Sequence, residues 1–143
     1  MQTNNDKIKN ITKFVNDYGK YIQEEINIIK AGDYYEVTVP YLDGDNDFIQ
    51  FYIQRDDDQV VFTDDGITLH TFTQGENDCK IIEEKLNDFS YRFSVKLNNG
   101  EIVAKTHIDN FLWRFHTYIH GLLFIYGFCN GIKCNYSVIN KIT

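Results

Sequence analysis

The sequence is short of the features that build most catalytic and nucleotide-binding frames. Pro40 is the single proline, and there is no Ser/Gly-rich tract, no internal repeat and no charge block longer than Asp56-Asp57-Asp58. Nothing marks a linker, so residues 1–143 read as one domain long enough to bury a substantial core. Cys79, Cys129 and Cys134 are odd in number and lack Cys-x-x-Cys spacing. That pattern indicates neither a zinc ribbon nor a disulfide framework, and it fits a reduced, cytoplasmic protein. The nine glycines are scattered. None forms a phosphate-cradling loop, and Ser90, Ser94 and Ser137 sit in no nucleophile elbow. No cofactor is implied.

Basic residues are also in deficit: 14 against 21 acidic ones, a net charge of -7. Direct nucleic-acid binding needs a basic stripe that displaces counterions, so this balance argues against it. It suits a solvated surface or docking to a basic partner. The opening "MQTNNDKIKNITKF" has no apolar core of a signal peptide, and "FLWRFHTYIHGLLFIYGFC" is interrupted by Arg114, His116 and His120. A membrane span is therefore not expected.

What is plentiful is aromatic: ten tyrosines and eleven phenylalanines. Along the chain, Ile8, Ile11, Val15, Tyr18 and Ile22 recur at spacings of three and four and predict an amphipathic helix. Two short strands follow, joined at Ala31-Gly32-Asp33, and Pro40 is expected to close the second or mark it as an edge. "FIQFYIQR" and "QVVFT" read as strands on either side of the Asp56-Asp57-Asp58 turn, while "ITLHTF" and "NDCKIIEEKLNDF" read as helical pieces. "YRFSVKL" and "EIVAK" form a hairpin around Asn98-Asn99-Gly100, since Asn-Gly supplies positive φ at little steric cost. A long helix is expected from a capping box at Thr106-His107-Ile108-Asp109 to about Cys129, with Ile108, Phe111, Leu112, Phe115, Ile119, Leu122 and Tyr126 on its core face. The sum is an α+β fold: a mostly antiparallel five- to six-stranded sheet with long N-terminal and C-terminal helices packed on one face.

Three groups of residues are candidates for binding. Asp43, Asp45, Asp47, Asp64 and Asp65 lie at strand ends and offer oxygen ligands of the kind Mg²⁺ and Ca²⁺ take. A calcium loop beginning at Asp43 fails, because Phe48 stands where glycine is needed and Gln54 where the bidentate glutamate belongs. The commoner role of such residues is turn geometry, with aspartates bonding local backbone N–H groups. His116 and His120 are four apart on the last helix, but no glutamate base lies between them as it does in a zinc protease. With Asp109 and Trp113 they form a stripe that reads either as a helix flank hydrogen-bonded to the sheet or the first helix, or as a polar and aromatic pocket. Cys79 is the thiol expected to be exposed.

"YEVTVPYLDGDNDFIQFYIQ" followed by "VVFTDDGITL" resembles a bacterial and phage family, the domain of unknown function 1828, over about residues 34–70. Thr63-Asp64-Asp65-Gly66-Ile67-Thr68 carries most of the resemblance. It implies context and not activity: small cytosolic proteins of Gram-positive bacteria, their phages and mobile elements. Together with the charge and the missing catalytic set, this gives the expectation of a non-enzymatic acidic interaction protein. Its partner would be a host protein with a basic surface, with inhibition of a nucleic-acid-handling defence enzyme as the specific case. The alternatives are a divalent-metal nuclease-like enzyme using Asp47, Asp64 and Asp65, or a nucleotide sponge in which Trp113, Arg114, His116 and Tyr118 hold a base and a phosphate. For Asp64-Asp65-Gly66 the structural expectation is a helix cap, with Asp64 or Asp65 accepting from the first N–H groups of "ITLHTF". On that basis Asp65→Ala should cost about 0.5–2 kcal/mol.

Overall fold

The computed structural model describes residues 4–73 and 79–142, with side chains for 10–70, 84–88 and 91–129. It has helix α1 (Asn4–Glu25), strands β1 (Asn27–Ala31), β2 (Tyr34–Leu42), β3 (Phe48–Asp56) and β4 (Gln59–Thr63), helices α2 (Ile67–Thr73) and α3 (Cys79–Phe93), strands β5 (Lys96–Asn98) and β6 (Glu101–His107), and helix α4 (Phe111–Ile142). The six strands form one antiparallel sheet in the order β1-β2-β3-β4-β6-β5. This is the expected α+β class.

Alternation decides the sheet's two faces. Val37 and Val39, Ile49, Phe51 and Ile53, Val60 and Phe62, and Ile102 and Ala104 all point to one side and are buried. Against them α4 lays Tyr118, Ile119, Leu122, Ile125, Tyr126 and Cys129. At the centre, the Phe51 ring is 5.2 Å from Tyr118 and 5.6 Å from Phe115, and Phe62 is 5.8 Å from Phe111, in tilted and edge-on arrangements favoured by the ring quadrupoles.

Several local expectations are corrected. Pro40 neither ends β2 nor marks an edge strand, since β2 lies between β1 and β3 and runs on to Leu42. Pairing with β1 stops at Thr38, so Pro40 withholds no N–H from that ladder, and the register with β3 shifts between Val39 and Leu42. Tyr91–Phe93 belong to α3, not to a strand; Ser94, at φ 52°, ends the helix, and β5 is only three residues long. The Asn98-Asn99-Gly100 hairpin forms as expected, with Asn99 at φ 51° and Gly100 at φ 82°.

Before α4, Thr106 lies within β6 and does not cap. Instead the His107 Nδ1 accepts from the Asp109 N–H and starts a 3-10 turn over Ile108–Asn110. α4 itself continues past Cys129 to Ile142. Leu112 is 83% exposed, whereas Tyr118, outside the expected core face, is fully buried. Ile81, Ile82 and Phe89, expected along one side of α3, and Cys79 have side chains outside the described residues; Leu86 is buried.

Two polar side chains tie α4 into this frame. Arg114 is buried and donates through its Nη atoms to the carbonyls of Phe93 and Ser94, where α3 leaves its last acceptors unsatisfied. Desolvation lowers the pKa of its guanidinium. The Tyr118 hydroxyl donates to the Ile102 carbonyl at 2.7 Å. Burial, and after it the Asp64 carboxylate, pushes this phenol well above its ordinary pKa of 10.0.

A folded-state pKa raised above the unfolded one contributes stability that is present below about pH 10 and lost as pH rises beyond it. Urea unfolding between pH 8 and pH 11 should therefore show a falling midpoint above about pH 10. Tyr118→Phe should make that fall shallower, and a slope identical to wild type would count against the assignment.

Candidate functional site

At the end of β4 the chain has to leave the sheet and start α2 within three residues. Asp65 and Gly66 adopt left-handed conformations, φ 58° and 78°, and this reversal folds the preceding carboxylate back over the turn. Asp64 is 1% exposed. Its Oδ1 accepts from Gly66 N–H at 3.0 Å and Ile102 N–H at 2.8 Å, and its Oδ2 accepts from Thr68 N–H at 3.1 Å. The third of these bonds carries the cap to the start of α2, and the second stitches the turn to β6, on the far side of the Asn-Gly hairpin. Thr68 then donates to the Tyr126 hydroxyl at 3.2 Å, linking the turn to α4.

Asp64 is thus the capping residue, and Asp65 is not. The Asp65 side chain is exposed, while its own N–H donates to Thr63 Oγ1 at 3.1 Å. The sequence named the right pair of residues but could not choose between them, because the choice depends on which one the left-handed turn aims inward.

The other acidic turn serves its own loop. Asp43 Oδ1 accepts from Asp45 N–H at 2.8 Å and Asp47 N–H at 3.0 Å, and Asp43 N–H donates to the Asp47 carbonyl at 2.8 Å. Asp45 and Asp47 are exposed. Thr63 pairs with Tyr52, so the strand register leaves Asp47 about 13 Å along β3 from the level of Asp64. Among the described residues, no group of three or more His, Cys, Asp or Glu side chains is placed to hold a metal ion.

On α4, Trp113, His116 and His120 are exposed on one flank, with the two imidazoles 6.0 Å apart centre to centre. Asp109, in the preceding 3-10 turn, is also exposed. His120 faces the Phe93 ring and Trp113 lies beneath the Arg114 guanidinium at 5.8 Å. Arg114 and Tyr118 are buried in the interior while Trp113 and His116 are exposed, so the four residues of the nucleotide-sponge reading are not brought together on one surface. Cys129 is buried, and burial raises its thiol to about 11, which leaves it a packing residue and not a nucleophile.

A cleft that sequence reasoning missed lies on the opposite face of the sheet. Register places Glu36, Tyr52 and Thr63 in one row across β2, β3 and β4, with Tyr34 and Ala31 in the next. Ala31, Tyr34, Tyr52, Thr63, Asp65 and Glu101 enclose an open cleft of about 260 Å³. Thr63 Oγ1 donates to Glu101 Oε1 at 3.2 Å, fixing one carboxylate at the rim, and Gln50 Nε2 donates to Glu36 Oε1. Burial first, then Glu36 and Asp65, raise the pKa of Tyr52. The phenol therefore sits in a negative field. The only sequence signal was alternation itself: the half-buried partners of the core residues are Glu, Gln, Tyr and Thr.

Fold and cleft together define an α+β domain with an aromatic core on one sheet face and an acidic, tyrosine-lined cleft on the other. Comparison with known families matches residues 39–125 to the model of the domain of unknown function DUF1828, and the chain belongs to that family. The matched region begins at Val39, runs well past residue 70 and takes in β6 and the N-terminal half of α4, the elements that Tyr118 joins. No curated protein and no solved structure matches the chain.

Asp64→Ala leaves three N–H groups without their acceptor, two of them in bonds that are buried. Thermal or urea denaturation should show a loss of about 3–5 kcal/mol. Asp65→Gly, which keeps the left-handed turn, should change stability by less than about 1 kcal/mol. Equal losses at the two positions would refute the division of labour.

Proposed function

We propose that this protein is a non-enzymatic interaction protein whose acidic, tyrosine-lined outer sheet face docks onto a basic partner. The observation that carries the reading is the cleft in which Tyr52 and Tyr34 stand among Glu36, Asp65 and Glu101. A guanidinium or ammonium entering this space would stack on a phenol ring and pair with a carboxylate, the two interactions that hold arginine most specifically. The protein's charge of -7 supports the same polarity at long range, since it speeds encounter with a positive surface.

The partner class that fits is a protein with a basic groove built for phosphates, such as a nucleic-acid-handling enzyme of the host cell. An acidic sheet face can occupy such a groove without doing chemistry. Of the three carboxylates the metal-enzyme alternative uses, Asp64 is committed to three backbone amides, and the strand register sets Asp47 about 13 Å along β3 from its level.

The test uses an arginine-rich peptide as the probe, titrated into the full chain at low and moderate salt. Wild type should bind with an affinity that falls as salt rises. The variant Glu36→Gln/Asp65→Asn/Glu101→Gln should bind at least about tenfold more weakly while melting within a few degrees of wild type. Equal binding by the two proteins, or no binding by either, would overturn the reading.

A further inference from the structure

Helix α1 poses a physical problem. Ile11, Phe14, Val15, Tyr18 and Tyr21 are each between 51% and 65% exposed, and of the described α1 side chains only Ile22 is even half-buried. A helix this long, rich in Asn and β-branched residues and with Gly19 in its middle, is marginal in water without tertiary packing. Its apolar residues are not scattered. Ile8, Ile11, Val15, Tyr18 and Ile22 repeat at three and four, the two-heptad seam of a helix that packs lengthwise on another helix, and Phe14 and Tyr21 widen that seam on one side.

The charge along α1 selects the occupant. Residues 4–13 carry three lysines and one aspartate; residues 14–25 carry three carboxylates and one lysine. The N-terminal half is thus positive and the C-terminal half negative by the same amount, a pattern that is complementary to itself when two copies run antiparallel and repulsive when they run parallel. Antiparallel helix macrodipoles favour the same arrangement.

We propose that α1 is a homodimerisation helix that packs antiparallel against α1 of a second copy about a two-fold axis, burying the Ile11, Phe14, Val15, Tyr18 and Tyr21 stripe. The helix is about 33 Å long, so two such stripes bury on the order of 800–1,000 Å², close to the lower bound for a specific interface. Ile28, on the edge strand that follows and 61% exposed, adds apolar surface next to the helix end. α1 lies outside residues 39–125, so the family match does not include this interface. The proposal is independent of the acidic cleft on the outer face.

Sedimentation equilibrium of the full chain across about 1–200 µM should show a monomer–dimer equilibrium. Val15→Glu/Tyr18→Glu should give a monomer with an unchanged strand signal in circular dichroism. Glu24→Lys/Glu25→Lys should weaken the dimer at low salt by about tenfold, and adding Lys7→Glu, Lys9→Glu and Lys13→Glu to that chain should restore it, because the helix is then complementary to itself again with its polarity inverted. A wild-type chain that stays monomeric throughout would overturn the proposal. So would a dimer that survives Val15→Glu/Tyr18→Glu, or one that the combined charge inversion fails to restore.

Discussion

The structure depends on one buried carboxylate. Asp64 sits where β4, α2 and β6 meet, and three backbone N–H groups converge on its two oxygens. A buried carboxylate is tolerable only when hydrogen bonds replace the water it has lost, and here the backbone supplies them. The turn that delivers those amides requires two successive left-handed residues, Asp65 and Gly66. One side chain thereby fixes where the strand stops, how the helix begins and how the Asn-Gly hairpin is held. Through Thr68–Tyr126 and Tyr118–Ile102 the same cluster orients α4 over the sheet.

That arrangement separates the two faces of the sheet by role. The core face is spent on aromatic packing: Phe51, Phe62, Phe111, Phe115 and Tyr118 fill the space between sheet and helix. The outer face, built from the alternate residues of the same strands, has no such obligation and carries Glu36, Tyr52, Thr63 and Glu101. Asp64 and Asp65 are adjacent in sequence yet belong to different faces of this division. The first belongs to the frame, and the second lines the cleft. In this member of the DUF1828 family, the Thr63-Asp64-Asp65-Gly66 stretch is therefore a fold determinant that also presents one carboxylate, Asp65, at the edge of the cleft.

Much of the fold was legible in the sequence because alternation and turn chemistry are local. Val37 and Val39 against Glu36 and Thr38, or Asn99-Gly100 between two strands, need no distant information. The errors came where distant partners decide. Tyr91–Phe93 alternate like a strand, but α3 runs on through them, and its last carbonyls are satisfied by Arg114 from α4. On α4 a uniform wheel placed Leu112 inside and left Tyr118 out. The phase of the helix is set instead by the Tyr118 and Arg114 hydrogen bonds, and these turn Leu112 to solvent. The acidic cleft was illegible for the same reason, since its members come from five strands and one turn and meet only through the sheet register.

Asp64 organises the fold by holding the backbone amides that converge on it. Amide hydrogen exchange at Thr68 and Ile102 tests it most directly, because each N–H donates to this carboxylate. Both amides should exchange only through global unfolding, with protection matching the slowest amides of β3 and β4. Exchange at the rate of the exposed Asp43–Asp47 loop would show that the carboxylate does not hold them and that the fold does not depend on it.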